Sequence, residues 1–118
     1  MKSFLVAAAF CALASTASAQ TVGGKYTVAG TNFDGSPYKG TASITVSSKT
    51  TCRIAWQTGG TSSQGFCMLQ DGALAAAYKL GSNVGLIIYK LQSDGVLEGI
   101  WTLADKDGAG TEVLTPAR

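Results

Sequence analysis

Small or apolar residues alternate with polar residues along most of this chain, in short segments separated by glycine-containing turns. The alternation is clearest over residues 38–47, where every second residue belongs to one class. The members of the apolar face are Tyr38, Gly40, Ala42, Ile44 and Val46, while lysine, threonine and serine occupy the other face. A period of two residues is typical of a β-strand with one buried face and one face in water.

The same pattern predicts eight short strands. They are expected near residues 24–30, 38–47, 51–57, 64–70, 73–79, 84–91, 96–103 and 110–115. The segments between them are rich in Asp-Gly, Gly-Gly and Gly-Ser-Asn, whose glycines accept the positive φ of tight hairpin turns. The alanine-rich segment 74–78 is short and bounded by such turns, so it is also interpreted as a strand despite the helical preference of alanine.

Eight short strands with short connections indicate an antiparallel meander, whose free edges are removed when the sheet closes. The predicted fold is all-β, an antiparallel eight-stranded up-and-down barrel of calycin-like type, with a two-sheet β-sandwich as the alternative. A membrane barrel is disfavoured, because the strands are short and the outward positions are expected to carry Thr, Ser and Lys.

The N-terminus has the pattern of a cleaved signal peptide. Lys2 precedes an apolar run over residues 4–13, and Ala17-Ser18-Ala19 fits the small-x-small cleavage pattern. The apolar run is shorter than the roughly 20 residues that a transmembrane helix needs. We therefore expect residues 1–19 to be a signal peptide, residues 20–118 to be a single domain, and the protein to be periplasmic or secreted.

Two cysteines, Cys52 and Cys67, remain after the predicted leader is removed. They are equidistant from the centre of Gly59-Gly60, so a hairpin folded at those glycines would place them opposite each other. In an oxidising compartment such a pair indicates one disulfide.

The composition excludes several chemistries. The sequence contains no histidine, and residues 20–118 carry eight Lys and Arg against seven Asp and Glu, without a basic stripe. Nucleic acid is therefore not an expected partner, and no metal, cofactor or catalytic nucleophile is predicted.

Asp105, Asp107 and Glu112 could surround a loop, but their spacing does not fit a calcium-binding EF-hand. Glu98 and Glu112 are the candidates for a paired-carboxylate hydrolase.

Aromatic residues fall mostly at positions that face the predicted interior, beside small residues such as Ala42, Gly85 and Gly99. Trp101 shares the inward parity of Leu97 on an expected central strand, so it is predicted to be largely buried. The rings would either line a ligand cavity or fill a packed core, and the sequence leaves both open. The candidate cavity-lining residues are Tyr26, Tyr38, Trp56, Tyr89 and Trp101, with Tyr78 at similar parity.

The order of features from Tyr26 to the C-terminus resembles small exported bacterial proteins that are often labelled fibronectin-binding, over nearly the full mature length. The resemblance rests on the segments 26–35, 38–40, 85–89, 94–102 and 110–114, together with Trp56. Gly99-Ile100-Trp101 is also similar to the G-x-W of calycin barrels, although theirs lies on the first strand. These resemblances imply a binding function and carry no catalytic residues.

The sequence thus predicts an exported, non-enzymatic binding protein, fibronectin-binding-like or with a small apolar ligand, that is a monomer. An inhibitor of an extracellular or periplasmic protease or lysozyme is the alternative, and a small hydrolase using Glu98, Asp107 or Glu112 is a third. An inhibitor would need a protruding segment, for which residues 20–24 and 59–63 are the candidates.

Overall fold

The computed structural model describes residues 21–117 and shows eight strands, as the alternation predicted. The strands are β1 (Gly24–Thr31), β2 (Pro37–Val46), β3 (Thr51–Thr58), β4 (Thr61–Gln70), β5 (Ala73–Leu80), β6 (Asn83–Leu91), β7 (Leu97–Leu103) and β8 (Gly110–Pro116). The alanine-rich segment is part of β5, as expected. The predicted leader, residues 1–19, lies outside the described residues.

The sheet closes into a barrel in sequence order. Each strand pairs antiparallel with the next, and β1 pairs with both β2 and β8. The up-and-down barrel is therefore confirmed, and the chain does not adopt the two-sheet sandwich. No helix within residues 21–117 has the length and apolar character to cross a bilayer.

The β3–β4 hairpin has the predicted register. Gly59 and Gly60 form its two-residue turn with φ of +56° and +83°, values that favour glycine. Cys52 lies opposite Cys67, and the two form a disulfide with both side chains buried inside the barrel. The predicted bridge is thus confirmed.

The beginning of β4 differs from the prediction. The strand starts at Thr61 and not near residue 64, because ladder pairing continues to Thr58 opposite Thr61, directly beside the glycine turn. The polar run Thr61-Ser62-Ser63 lacks the apolar residues that mark a strand, so only the pairing with β3 reveals it.

One end of the barrel interior is packed solid. It is the end that contains the β2–β3, β4–β5 and β6–β7 connections and the disulfide. Val22, which precedes β1, closes this end with no exposed surface, and its carbonyl oxygen accepts a 2.6 Å hydrogen bond from the Tyr26 hydroxyl. The other fully buried aliphatic side chains here are Leu69, Leu74, Leu97 and Leu114.

The outer face is polar on one side of the barrel and apolar on the other. β1, β2 and β3 carry lysine, arginine, threonine and serine outward, as expected. The expectation was wrong for β4, β6 and β7, because their outward positions hold large apolar side chains. The most exposed of them are Phe66, Leu86, Ile88 and Ile100, each between 57% and 59% exposed.

Candidate functional site

A cavity of about 290 Å³ occupies the opposite end of the barrel, where the β1–β2, β3–β4, β5–β6 and β7–β8 connections lie. Its wall contains the aromatic side chains of Tyr38, Trp56, Tyr78 and Trp101. The remaining lining residues are Asn32, Thr58, Gly59, Thr61, Ser63, Leu80, Ile87 and Glu112. The interior is therefore filled at one end and hollow at the other. Some aromatic residues belong to the packed core and others line the cavity.

The five candidate cavity residues separate by depth along the barrel. Tyr38, Trp56 and Trp101 line the cavity. Tyr89 is fully buried next to the cavity floor, and Tyr26 belongs to the filled end beside Val22. Alternation along a strand identifies the inward face, but it does not tell how far from the mouth a residue lies.

Three of the four rings in the cavity wall, those of Tyr38, Tyr78 and Trp101, lie against a glycine on the neighbouring strand. Tyr38 is paired in register with Gly30, Tyr78 with Gly85, and Trp101 with Gly110. A Cβ atom at any of these glycines would come within 2.4 Å of the facing ring. Because these glycines have no side chain, each ring can lie across the adjacent strand. This contact sets the direction in which the ring points.

Trp101 is not largely buried, contrary to the prediction. It is partly buried at the cavity mouth, where it contacts Phe33 with ring centroids 5.0 Å apart and donates a 3.3 Å hydrogen bond to the Thr111 carbonyl oxygen. The reason is its position two residues from the end of β7, since inward side chains at a barrel rim are covered on one side only.

A buried carboxylate, Glu112 on β8, forms the cavity floor with 5% of its surface exposed. Its Oε1 atom accepts a 2.6 Å hydrogen bond from the Tyr38 hydroxyl. Its Oε2 atom accepts hydrogen bonds from the Trp56 indole Nε1, at 2.8 Å, and from the Tyr89 hydroxyl. Three neutral donors from three different strands thus satisfy one charged group, which offsets much of the cost of its burial.

The tyrosines around Glu112 remain protonated and act as donors. Burial, reinforced by the nearby carboxylate, raises the pKa of Tyr78 to about 12. The same causes hold the pKa of Tyr38 and of Tyr89 well above the ordinary value for a phenol. The floor of the cavity is therefore a carboxyl group held by neutral hydrogen-bond donors.

The sequence predicted Glu112 only as a candidate acid and not as part of the cavity. One indication was present: Gly110, Glu112 and Leu114 alternate in the inward register, and all three are buried. A charged residue at an inward position between two small or apolar residues predicts a buried polar site.

The candidate acids do not assemble into a catalytic or calcium site. Glu98 and Glu112 belong to neighbouring strands, but Glu98 faces outward and is exposed while Glu112 faces the interior. Asp105 and Asp107 are exposed in the β7–β8 connection, away from the buried Glu112 carboxylate. Within residues 21–117, no group of three or more acidic, cysteine or histidine side chains has the arrangement to hold a metal ion.

Three other depressions are larger: about 660 Å³ along β2 to β6, about 820 Å³ near β5 to β8, and about 470 Å³ beside Phe33 and Trp101. Exposed outward side chains such as Arg53, Phe66 and Ile88 contribute to their walls. They are more open to solvent than the cavity inside the barrel. We therefore place the candidate site inside the barrel, where a small ligand would lose most of its contact with water.

No protein-family model matches the chain, and no curated protein matches it. Solved structures do resemble it. A redesigned β-barrel has a TM-score of 0.77 at 19% identity, and the match covers 89% of this chain and 99% of that barrel. The redesigned β-barrel mFAP1, solved bound to DFHBI, has a TM-score of 0.72 at 22% identity and covers 86% of this chain and 99% of its own.

A natural barrel shares the architecture more distantly. The wild-type fluorescent protein UnaG has a TM-score of 0.51 at 12% identity, over 83% of this chain and 98% of its own. At these identities the likeness concerns the fold alone. It places the chain among closed eight-stranded barrels of the calycin-like type.

Proposed function

We propose that this protein binds a small, largely apolar molecule in the cavity between Trp56, Tyr78 and Trp101. The observation that carries the proposal is the contrast within the barrel: buried side chains occupy one end, and the other holds about 290 Å³ of space above a polar floor. Protein interiors are normally close-packed, so a hollow region of this size is typical of a ligand site. The similarly folded barrel mFAP1 holds DFHBI, which supports the proposal.

The site has the features of a binding pocket and not those of a catalytic one. Its single carboxylate accepts hydrogen bonds from three neutral donors. The second acid on the neighbouring strand, Glu98, faces the opposite side of the sheet. A paired-carboxylate mechanism needs two acids on the same side of a cleft. We therefore favour binding over hydrolysis.

Export is part of the proposal. The leader pattern of residues 1–19 and the buried Cys52–Cys67 disulfide both suit an oxidising, periplasmic or secreted location.

Fibronectin binding stays a prediction from resemblance. For an inhibitor, residues 59–63 would have to protrude, but they form a tight turn and the first residues of β4, and Val22 is buried.

Ser63 and Ser62 offer a matched test of the binding site. Ser63 faces the cavity, whereas its neighbour Ser62 faces outward on the same strand. Ser63→Phe should fill part of the cavity and weaken binding of 2-phenylethanol, a small neutral aromatic probe, by at least about tenfold. Ser62→Phe adds the same side chain outside and should leave binding unchanged.

The readout is the indole N–H resonance of Trp56, observed by NMR while the probe is added. The chain has only two tryptophans, so the resonance can be assigned with one substitution. Equal binding by the two variants would show that the probe does not occupy the cavity, and the proposed site would then be wrong.

A further inference from the structure

The hydrogen-bond donors at the cavity floor are already used by the protein itself. Trp56 Nε1, Tyr38 Oη and Tyr89 Oη all donate to Glu112. The Tyr78 hydroxyl donates to the Thr102 carbonyl oxygen at 3.1 Å. A ligand that reaches the floor therefore meets acceptors and negative charge, because no proton of these four groups points to it.

Acceptor capacity remains at two of the floor atoms. The Oε1 atom of Glu112 receives one hydrogen bond, from Tyr38, although a carboxylate oxygen can accept two. The Tyr38 hydroxyl oxygen, having donated its proton, can itself accept one. Both residues line the cavity, so these lone pairs are available to a donor on the ligand.

The wall above the floor also favours positive charge. The rings of Trp56 and Tyr78 meet with centroids 5.3 Å apart at 60°, and those of Tyr38 and Trp101 with centroids 6.3 Å apart at 69°. Aromatic faces attract cations, more strongly when water is excluded. The cavity lining contains no lysine or arginine among its described residues, so Glu112 is its one charged side chain.

We propose that the cavity selects small aromatic or apolar molecules that carry a protonated amine, with the ammonium group directed at Glu112. This inference rests on the proposed binding function and names the ligand class of the same site. The ammonium group would donate to Glu112 Oε1 and to the Tyr38 oxygen, and the apolar part would lie between the rings. A space of about 290 Å³ limits the ligand to roughly the volume of ten water molecules.

Anionic ligands should be excluded by the same arrangement. A carboxylate at the floor would lie beside Glu112, where Tyr38, Trp56 and Tyr89 already donate to Glu112 and the lining has no basic side chain. Like charges in a site of low dielectric repel strongly, and the acceptors would be left unpaired. The inference therefore predicts that cationic ligands bind more tightly than anionic ligands, which the proposed binding function alone does not.

Three probes of similar size test it: phenethylamine, 2-phenylethanol and 3-phenylpropionate, which are cationic, neutral and anionic near neutral pH. Binding to the wild-type protein is followed through the Trp56 indole N–H resonance. We expect phenethylamine to bind at least about tenfold more tightly than the alcohol, and the carboxylate to bind most weakly.

Glu112→Gln and Glu98→Gln form the matched pair of variants. Each removes one negative charge, the first inside the cavity and the second from the exposed outer face of the neighbouring strand. Glu112→Gln should reduce the preference for the amine over the alcohol to within about twofold. Glu98→Gln should retain the full preference.

The outcomes distinguish the two proposals. If all three probes bind the wild type equally, the charge preference is wrong while cavity binding stands. If no probe shifts the Trp56 resonance, both the binding function and the amine preference fail. The comparison of probes on the wild type needs no variant, so it decides the question even where Glu112→Gln does not fold.

Discussion

Glu112 and its partners are the most unusual set of side chains in the molecule. A carboxylate at 5% exposure would be very costly without compensation, and here three neutral donors supply it. The partners come from residues 23, 56 and 74 positions away along the chain. The network therefore exists only when the barrel has closed, and it ties β8 to β2, β3 and β6.

The tyrosines give a direct prediction at alkaline pH. All four in the chain have a raised pKa, with burial as the first cause, and Tyr78 reaches about 12. A raised folded-state pKa means that folding favours the protonated phenol. Its contribution to stability is complete below the unfolded pKa of about 10 and is lost as the pH rises from there towards the folded values.

We therefore expect the near-ultraviolet absorbance of phenolate to stay low through pH 10 in the folded protein and to rise together with unfolding. The same chain in concentrated urea, where burial is absent, should titrate with a pKa of about 10. A tyrosine that ionises near pH 10 while the far-ultraviolet circular dichroism of the barrel is unchanged would contradict the packing described above.

Adjacent residues on one strand test the inward and outward faces. Ile87 on β6 is 2% exposed and points into the barrel, whereas Ile88 is 57% exposed on the apolar outer face. Ile87→Ala should lower the free energy of unfolding by about 2–5 kcal/mol, because it removes buried contacts and enlarges the cavity. Ile88→Ala should change it by about 0.5 kcal/mol or less.

Urea unfolding of the two variants measures both values, with the wild type as reference. The two substitutions remove the same atoms from neighbouring positions, so strand propensity is matched. A larger loss for Ile88→Ala would mean that the register of β6 is shifted by one residue, which would reverse every inward assignment on that strand.

The strands themselves were predictable because their signals are local. Two-residue alternation and glycine turns located all eight, and the symmetric placement of Cys52 and Cys67 gave the register of the β3–β4 hairpin. The polar start of β4 at Thr61 was not predictable in the same way, since ladder pairing and not composition makes it a strand.

The candidate site was predictable only in part. Inward parity indicated that Tyr38, Trp56 and Trp101 face the interior, and the structure places them around one cavity. Parity carries no information on depth, so it did not separate them from Tyr26 and Tyr89 or show that Trp101 lies at the rim. Parity also did not predict the apolar outer face of β4, β6 and β7. On β6 the inward and outward positions are both aliphatic, so alternation does not distinguish its two faces.

In the whole molecule, the filled end and the proposed binding cavity lie at opposite ends of one barrel. The disulfide and Val22 belong to the filled end, where Leu69 and Leu74 pair in register, as do Leu97 and Leu114. The cavity end holds Glu112 and the rings that face glycines. The buried side chains and the disulfide at the filled end stabilise the closed sheet, so the other end can remain hollow.

The position of a bound probe tests this arrangement most directly. Intermolecular nuclear Overhauser effects from phenethylamine, measured on the wild-type protein, report which side chains lie next to it. We expect contacts with the Trp56 ring, the Tyr78 ring and the Ile87 methyl groups, all of which line the cavity. Contacts confined to Phe66, Leu86 and Ile88 on the outer face would contradict the account and place the binding surface outside the barrel.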